Sequence, residues 1–119
     1  LEKDICCPLE YGLEIFGGKW NSRILCVLAE KERHRYSELR QQMGNITYAV
    51  LALTLKEIIK NGMIDRKSYD EIPPRVEYSL TEKGVSVILI LQSICHWAGA
   101  FHKETSDFLM IQCKKCDYR

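Results

Sequence analysis

The chain has 119 residues, with 17 Lys or Arg, 16 Asp or Glu, 46% hydrophobic residues and 28% charged ones. That leaves room for one domain around one core and too little for two, and the composition excludes a fibrous or disordered chain. A formal net charge of +1 does not by itself identify a partner.

Neither end reads as a targeting segment. Leu1 to Pro8 carries Glu2, Lys3 and Asp4 and does not resemble a signal peptide. No apolar stretch approaches the roughly 20 residues needed to span a bilayer. The expectation is a cytoplasmic protein with no membrane partner.

In chain order, Pro8 suits the first turn of a helix that reaches Phe16, with Leu9, Leu13 and Phe16 at helical spacing. Gly17-Gly18 breaks it. A second helix is predicted from about Trp20 to Glu30, with Trp20, Ile24, Val27 and Leu28 on one face. Lys31 to Arg35, charged apart from His34, reads as an exposed connection. Ser37 is the predicted N-cap of a helix to Met43, closed by Gly44. Thr47 caps the next, which runs to Asn61 and ends at Gly62. Two helices joined by about three residues, with Gly in the turn, form a helix-turn-helix over about 37–61, and the second is the candidate reader of the major groove.

Met63 to Tyr69 is a predicted strand, Asp70-Glu71-Ile72-Pro73-Pro74 a turn, and Arg75 to Leu80 a strand with Val76, Tyr78 and Leu80 facing inward. Two adjacent prolines belong at the tip, because neither can donate to a strand ladder. A hairpin over about 63–80, directly after a recognition helix, is a wing. Thr81 with Lys83-Gly84 opens a last long helix over about 82–102, followed by a tail over 103–119. That helix is apolar on two faces: Val87, Leu91, Ile94 and Ala98 on one, and Ile90, Ile94, Trp97 and Phe101 on another. A helix apolar most of the way round must be covered on more than one side, and a second copy of the chain is the expected cover. The fold class is therefore mostly α with a small β-hairpin wing (α+β): one winged helix-turn-helix domain with dimerisation helices at about 8–16 and 82–102. The predicted homodimer interface comprises Leu9, Leu13, Val87, Ile90, Leu91, Ile94, Trp97 and Phe101.

Between Lys19 and Tyr78 there are 11 Lys or Arg against 8 Asp or Glu, an excess that leans toward an anionic partner such as double-stranded DNA. Arg35, Arg40, Lys56, Lys67 and Arg75 are the candidate phosphate contacts.

These pieces resemble the HxlR-type regulators, a branch near the MarR-like winged-helix proteins. The matching residues are Cys7-Pro8-Leu9-Glu10, Gly17-Gly18-Lys19-Trp20, Arg35-Tyr36-Ser37-Glu38-Leu39-Arg40, Leu55-Lys56-Glu57, Asn61-Gly62-Met63-Ile64 and, most specifically, Pro73-Pro74-Arg75-Val76-Glu77-Tyr78-Ser79-Leu80-Thr81-Glu82-Lys83-Gly84. The resemblance spans about residues 7–98. It implies a dimeric DNA-binding regulator whose terminal helices build the interface, and a candidate oxidant- or electrophile-sensing thiol at Cys7. A helix start favours the anionic, reactive form of a thiol. The helix-turn-helix and wing residues implied for DNA contact are Arg35, Ser37, Arg40, Thr47, Tyr48, Ala49, Ala52, Leu53, Lys56, Lys67, Pro74 and Arg75.

The chain departs from the family pattern on the recognition helix. Family members usually place Gln, Arg or Lys on the groove-facing side, where they read base edges through bidentate hydrogen bonds. Here that side carries Tyr48, Ala49, Ala52, Leu53 and Lys56. Tyr48 can bond a phosphate or pack on a thymine methyl, and Ala49 and Ala52 can also contact methyl groups. Leu51, Leu55, Ile58 and Ile59 already supply a core face, which leaves Leu53 without a packing role. The expectation is binding dominated by phosphate contacts and shape. The alternative is a winged-helix dimer turned to protein–protein interaction, which the apolar helix would also fit.

Six cysteines stand at positions 6, 7, 26, 95, 113 and 116. Cys26 and Cys95 lie in apolar helical patterns and read as small hydrophobes. Cys113-Lys114-Lys115-Cys116 has metal-ligand or redox spacing, but a zinc site needs four ligands, and the only other candidates nearby are Cys6, Cys7, His96 and His102. It reads as part of a tail, and no metal or cofactor is assigned. There is no phosphate loop, HExxH or nucleophile elbow, so no enzyme is expected. The effector is not legible.

Overall fold

Pro8 sits at the first position of α1 (Pro8–Phe16) in a computed structural model that describes residues 7–99 of the chain. The N–H that proline lacks would have no helical partner there. Two glycines lead into α2 (Lys19–Leu28), the centre of the core, where Ile24, Leu25, Val27 and Leu28 are buried. Cys26 packs half-buried against the same cluster.

The next segment corrects the predicted exposed connection. His34–Arg35 forms a short strand, β1, paired antiparallel with β3, His34 opposite Tyr78 and Arg35 opposite Glu77. His34 is fully buried, and neither ring nitrogen has a hydrogen-bond partner. Burial, reinforced by the nearby Lys31 charge, holds its pKa below the ordinary 6.5. A two-residue strand among charges has no periodicity to betray it.

α3 (Tyr36–Met43) starts one residue before the predicted cap. Ser37 lies in its first turn rather than capping it. The Glu38 carboxylate accepts the Arg35 N–H at 2.8 Å instead. That carboxylate also takes the Lys31 ammonium, and these two bonds, the lysine's first, lower its pKa. Gly44, at φ 80°, turns the chain in a conformation that a Cβ disfavours. Thr47 Oγ1 accepts the Val50 N–H at 3.2 Å and caps α4 (Tyr48–Lys60), as expected. Leu51, Leu55 and Ile58 of α4 face the core beside Leu39, Met43 and Ile46.

β2 (Ile64–Tyr69) and β3 (Arg75–Leu80) form the wing, in register from Ile64 opposite Leu80 to Tyr69 opposite Arg75. The sheet order is β1-β3-β2. Pro73 and Pro74 sit in the tip. Of the three predicted inward residues, Tyr78 is buried and Val76 and Leu80 are half-buried.

Thr81 locks the wing's base to α5 (Glu82–Gly99). Its hydroxyl donates to the Gly62 carbonyl at 2.6 Å and accepts the Gly84 N–H at 3.1 Å. A Cβ on Gly84 would lie 2.2 Å from the Met63 carbonyl oxygen, so only glycine lets helix and wing root approach this closely. Val87 and Leu91, at 6% and 7% exposure, pack into the chain's own core, which corrects their assignment to a dimer interface. A helix apolar nearly all round does not reveal which stripe faces inward. Ile90, Ile94 and Trp97 are exposed, joined by Val85 and Leu89. Phe101, Cys6, His102 and the tail over 103–119 lie outside the described residues. No helix among the described residues is long and apolar enough to cross a membrane, and none of their His, Cys, Asp and Glu side chains form a group able to hold a metal.

Candidate nucleic-acid interface

The exposed side of α4 follows from its buried side. With Leu51, Leu55 and Ile58 inward, the 3.6-residue period puts Ala49, Leu53 and Lys56 outward and Ala52 at their flank, while Tyr48 occupies the first turn; all five are exposed. Leu53, without a packing role in the sequence, is 69% exposed. Tyr48 stands at the helix start with its ring fixed from two directions. The Arg40 guanidinium carbon lies 3.8 Å from its ring centroid, and the Tyr36 ring is parallel to it within 9°, centroids 6.1 Å apart. The Tyr36 hydroxyl donates to the Tyr48 carbonyl at 3.1 Å. Burial, with Tyr78 and Tyr48 adding, raises the Tyr36 pKa and so keeps that donor protonated.

This aromatic stack was not predicted. Tyr36 and Tyr48 lie on different helices, and only the tight turn at Gly44 brings them together. Arg40, expected as a plain phosphate contact, is half-buried, and its Nε has no hydrogen-bond partner. A guanidinium stacked on a ring keeps its in-plane donors available, so Arg40 combines positioning of Tyr48 with a fixed positive charge.

Arg35 and Ser37 are exposed at the entry to α3, and Thr47 is held in its cap. On the wing, Lys67 is exposed, with Nζ 5.1 Å from the Tyr69 ring centroid, and Pro74 is exposed at the tip. Arg75, a candidate phosphate contact, is engaged within the wing itself. It pairs with Glu71 at 3.0 Å and Glu77 at 3.6 Å and lies 3.9 Å over the Tyr69 ring. Its charge is balanced inside the wing. Arg33, not singled out in the sequence, joins the same network, bonding the Tyr69 hydroxyl at 3.4 Å and approaching Glu77 at 3.7 Å.

Cys7 is exposed, the N-cap of α1, and its carbonyl accepts the N–H groups of Glu10 at 3.0 Å and Tyr11 at 3.3 Å. Leu9 and Leu13 are exposed on the same helix. The Lys83 ammonium joins three elements, donating to the Tyr11 hydroxyl at 2.9 Å and to the Asn61 carbonyl, at the end of α4, at 2.8 Å.

Comparison with known proteins fits this geometry. The family model for HxlR-like helix-turn-helix proteins matches residues 15–106. The chain belongs to the HxlR-like helix-turn-helix family. An HTH-type transcriptional regulator of Halalkalibacterium halodurans is 44% identical over 90 residues, which is 76% of this chain and 80% of that protein. Among solved structures, the redox regulator HypR in its oxidised form has a TM-score of 0.74 and 33% identity, covering 82% of this chain and all of HypR. The reduced transcriptional regulator YodB of B. subtilis has a TM-score of 0.74 and 32% identity, covering 83% of this chain and 97% of YodB. As an HxlR-like protein, the chain is a DNA-binding transcriptional regulator with a winged-helix fold.

Proposed function

We propose that this regulator acts on duplex DNA as a homodimer, with α4 in the major groove, the wing beside it, and Cys7 as an oxidant- or electrophile-sensing thiol. The observation that carries the dimer is the set of exposed large apolar side chains on α1 and α5. Leu9 and Leu13 lie one turn apart on α1, and Ile90, Ile94 and Trp97 follow a helical stripe on α5, all exposed. Monomeric proteins rarely leave large contiguous apolar surface in water. Two copies joined there would present two recognition helices, and a spacing of about 34 Å, one DNA turn, would let both half-sites be read.

Arg35, Lys56 and Lys67 are the exposed cations that support backbone contact, with Arg40 beside them. Ser37, Thr47 and Pro74, also exposed, are the further residues assigned to this contact. Cys7 begins α1, so oxidation or alkylation there would change the end of an interface helix and through it the separation of the two reading heads. The likeness to HypR, a redox regulator by its description, supports that reading. The experiment is mass measurement of the complex with a duplex selected from a random pool. Two chains per site are expected. One chain per site would overturn the dimer, and no complex with any duplex would favour a protein partner for the apolar face of α4.

A further inference from the structure

Over its first two turns the exposed side of α4 carries one hydrogen-bonding side-chain group, the Tyr48 phenol, and the two threonine hydroxyls beside it are each engaged with the helix's own backbone. Thr47 Oγ1 accepts the Val50 N–H at 3.2 Å, and Thr54 Oγ1 donates to the Val50 carbonyl at 2.7 Å. What projects outward is Ala49, Ala52 and Leu53, flanked by the Tyr48 ring that Arg40 and Tyr36 hold in place. A turn farther along stand Lys56 and Lys60, both exposed, with Glu57 beside them.

Pressed into a major groove, such a surface takes water from base edges and returns almost no hydrogen bonds. The O6 and N7 of guanine, N4 of cytosine and N6 of adenine would lose solvent without a partner, and each unpaired group costs affinity. One major-groove feature gains from apolar contact: the C5-methyl of thymine. The two lysines complement the phosphates of the groove wall, so the flanking charge fits DNA as the occupant.

We infer that the recognition helix reads thymine C5-methyl groups, with Ala49, Ala52 and Leu53 forming the methyl-contacting surface and Leu53 reaching farthest. Specificity then comes from apolar fit and from rejection of unpaired base-edge groups, in place of the bidentate bonds of Gln or Arg. This rests on the proposed entry of α4 into the major groove.

The test uses the full chain and a duplex selected from a random pool, remade with deoxyuridine in place of thymidine at one position at a time. The swap removes a methyl and keeps the Watson–Crick pairing. Each contacted methyl should weaken binding about fourfold, the equivalent of leaving one buried methyl-sized group without its contact. Two contacted positions should give roughly tenfold or more. In Leu53→Ala the penalty should vanish at one base pair, while the salt dependence stays that of the parent. Equal affinity for thymidine and deoxyuridine duplexes at every position, with salt-dependent binding intact, would overturn methyl readout and leave the DNA-binding reading standing. Absence of salt-dependent binding to any duplex would overturn both. The nucleotide arm needs no protein variant, so misfolding of Leu53→Ala cannot obscure the answer.

Discussion

Replacing Gly84 with Ala should destabilise the protein, although helix propensity alone favours the change by up to about 1 kcal/mol. The added Cβ would stand 2.2 Å from the Met63 carbonyl oxygen, 3.2 Å from its carbon and 3.1 Å from Leu80 Cδ2. Backbone cannot swing aside as a side-chain tip can, and this carbonyl is already held by the Thr81 N–H at 3.0 Å. Helix α5 and the wing root would have to separate by the better part of an ångström. Overpacking of this kind costs about 1–3 kcal/mol, and contact with backbone belongs at the upper end. Set against the propensity gain, the net loss is about 2 kcal/mol, or roughly 8 °C in Tm for a domain of this size. Thermal unfolding followed by circular dichroism reads it directly. An unchanged or higher Tm in Gly84→Ala would refute the close approach and with it the rigid seating of the wing on α5.

Ile94→Asp puts a charge on the exposed stripe of α5 without touching the core. Sedimentation should show a folded single chain where the parent shows two, and an unaltered dimer would place the interface elsewhere. His34 is kept neutral by burial, so the unfolded chain binds a proton more readily; stability should hold above about pH 6.5 and fall below it, by up to about 1.4 kcal/mol per pH unit, until the lowered folded pKa is passed. Denaturant melts of the parent and His34→Leu across that range should differ in slope, and identical slopes would contradict the assignment. Cys7→Ser should blunt the loss of DNA binding caused by diamide, measured by fluorescence anisotropy on the selected duplex, whereas equal sensitivity in both proteins would remove Cys7 as the sensor.

The parts of the fold legible in the sequence are those governed by local rules. Gly44, Thr47 and Gly62 mark the ends of α3 and α4 because left-handed turns and helix caps restrict residue type strongly. The proline pair marks the wing tip because it cannot join a ladder. What stayed hidden depends on distant partners. His34 is buried only because β1 adds to β3, and nothing within a short charged run foretells that pairing. The phase of α5 was ambiguous because Val87, Leu91, Ile90 and Ile94 are equally apolar, and only packing separates core from surface. Of the candidate site, the outward placement of Ala49, Leu53 and Lys56 on α4 was readable from helical period. The Tyr36–Tyr48–Arg40 stack and the pairing of Arg75 with Glu71 and Glu77 were not, since composition does not say which charges neutralise one another.

The central claim is that this chain grips duplex DNA through exposed cations around an apolar reading helix. Its most direct test is the affinity of the full chain for the selected duplex as a function of salt. With Arg35, Lys56 and Lys67 of two chains neutralising about six phosphates, log K should fall linearly with log salt at a slope near −5, a loss of about a thousandfold between 50 and 200 mM. A slope near zero would contradict the account.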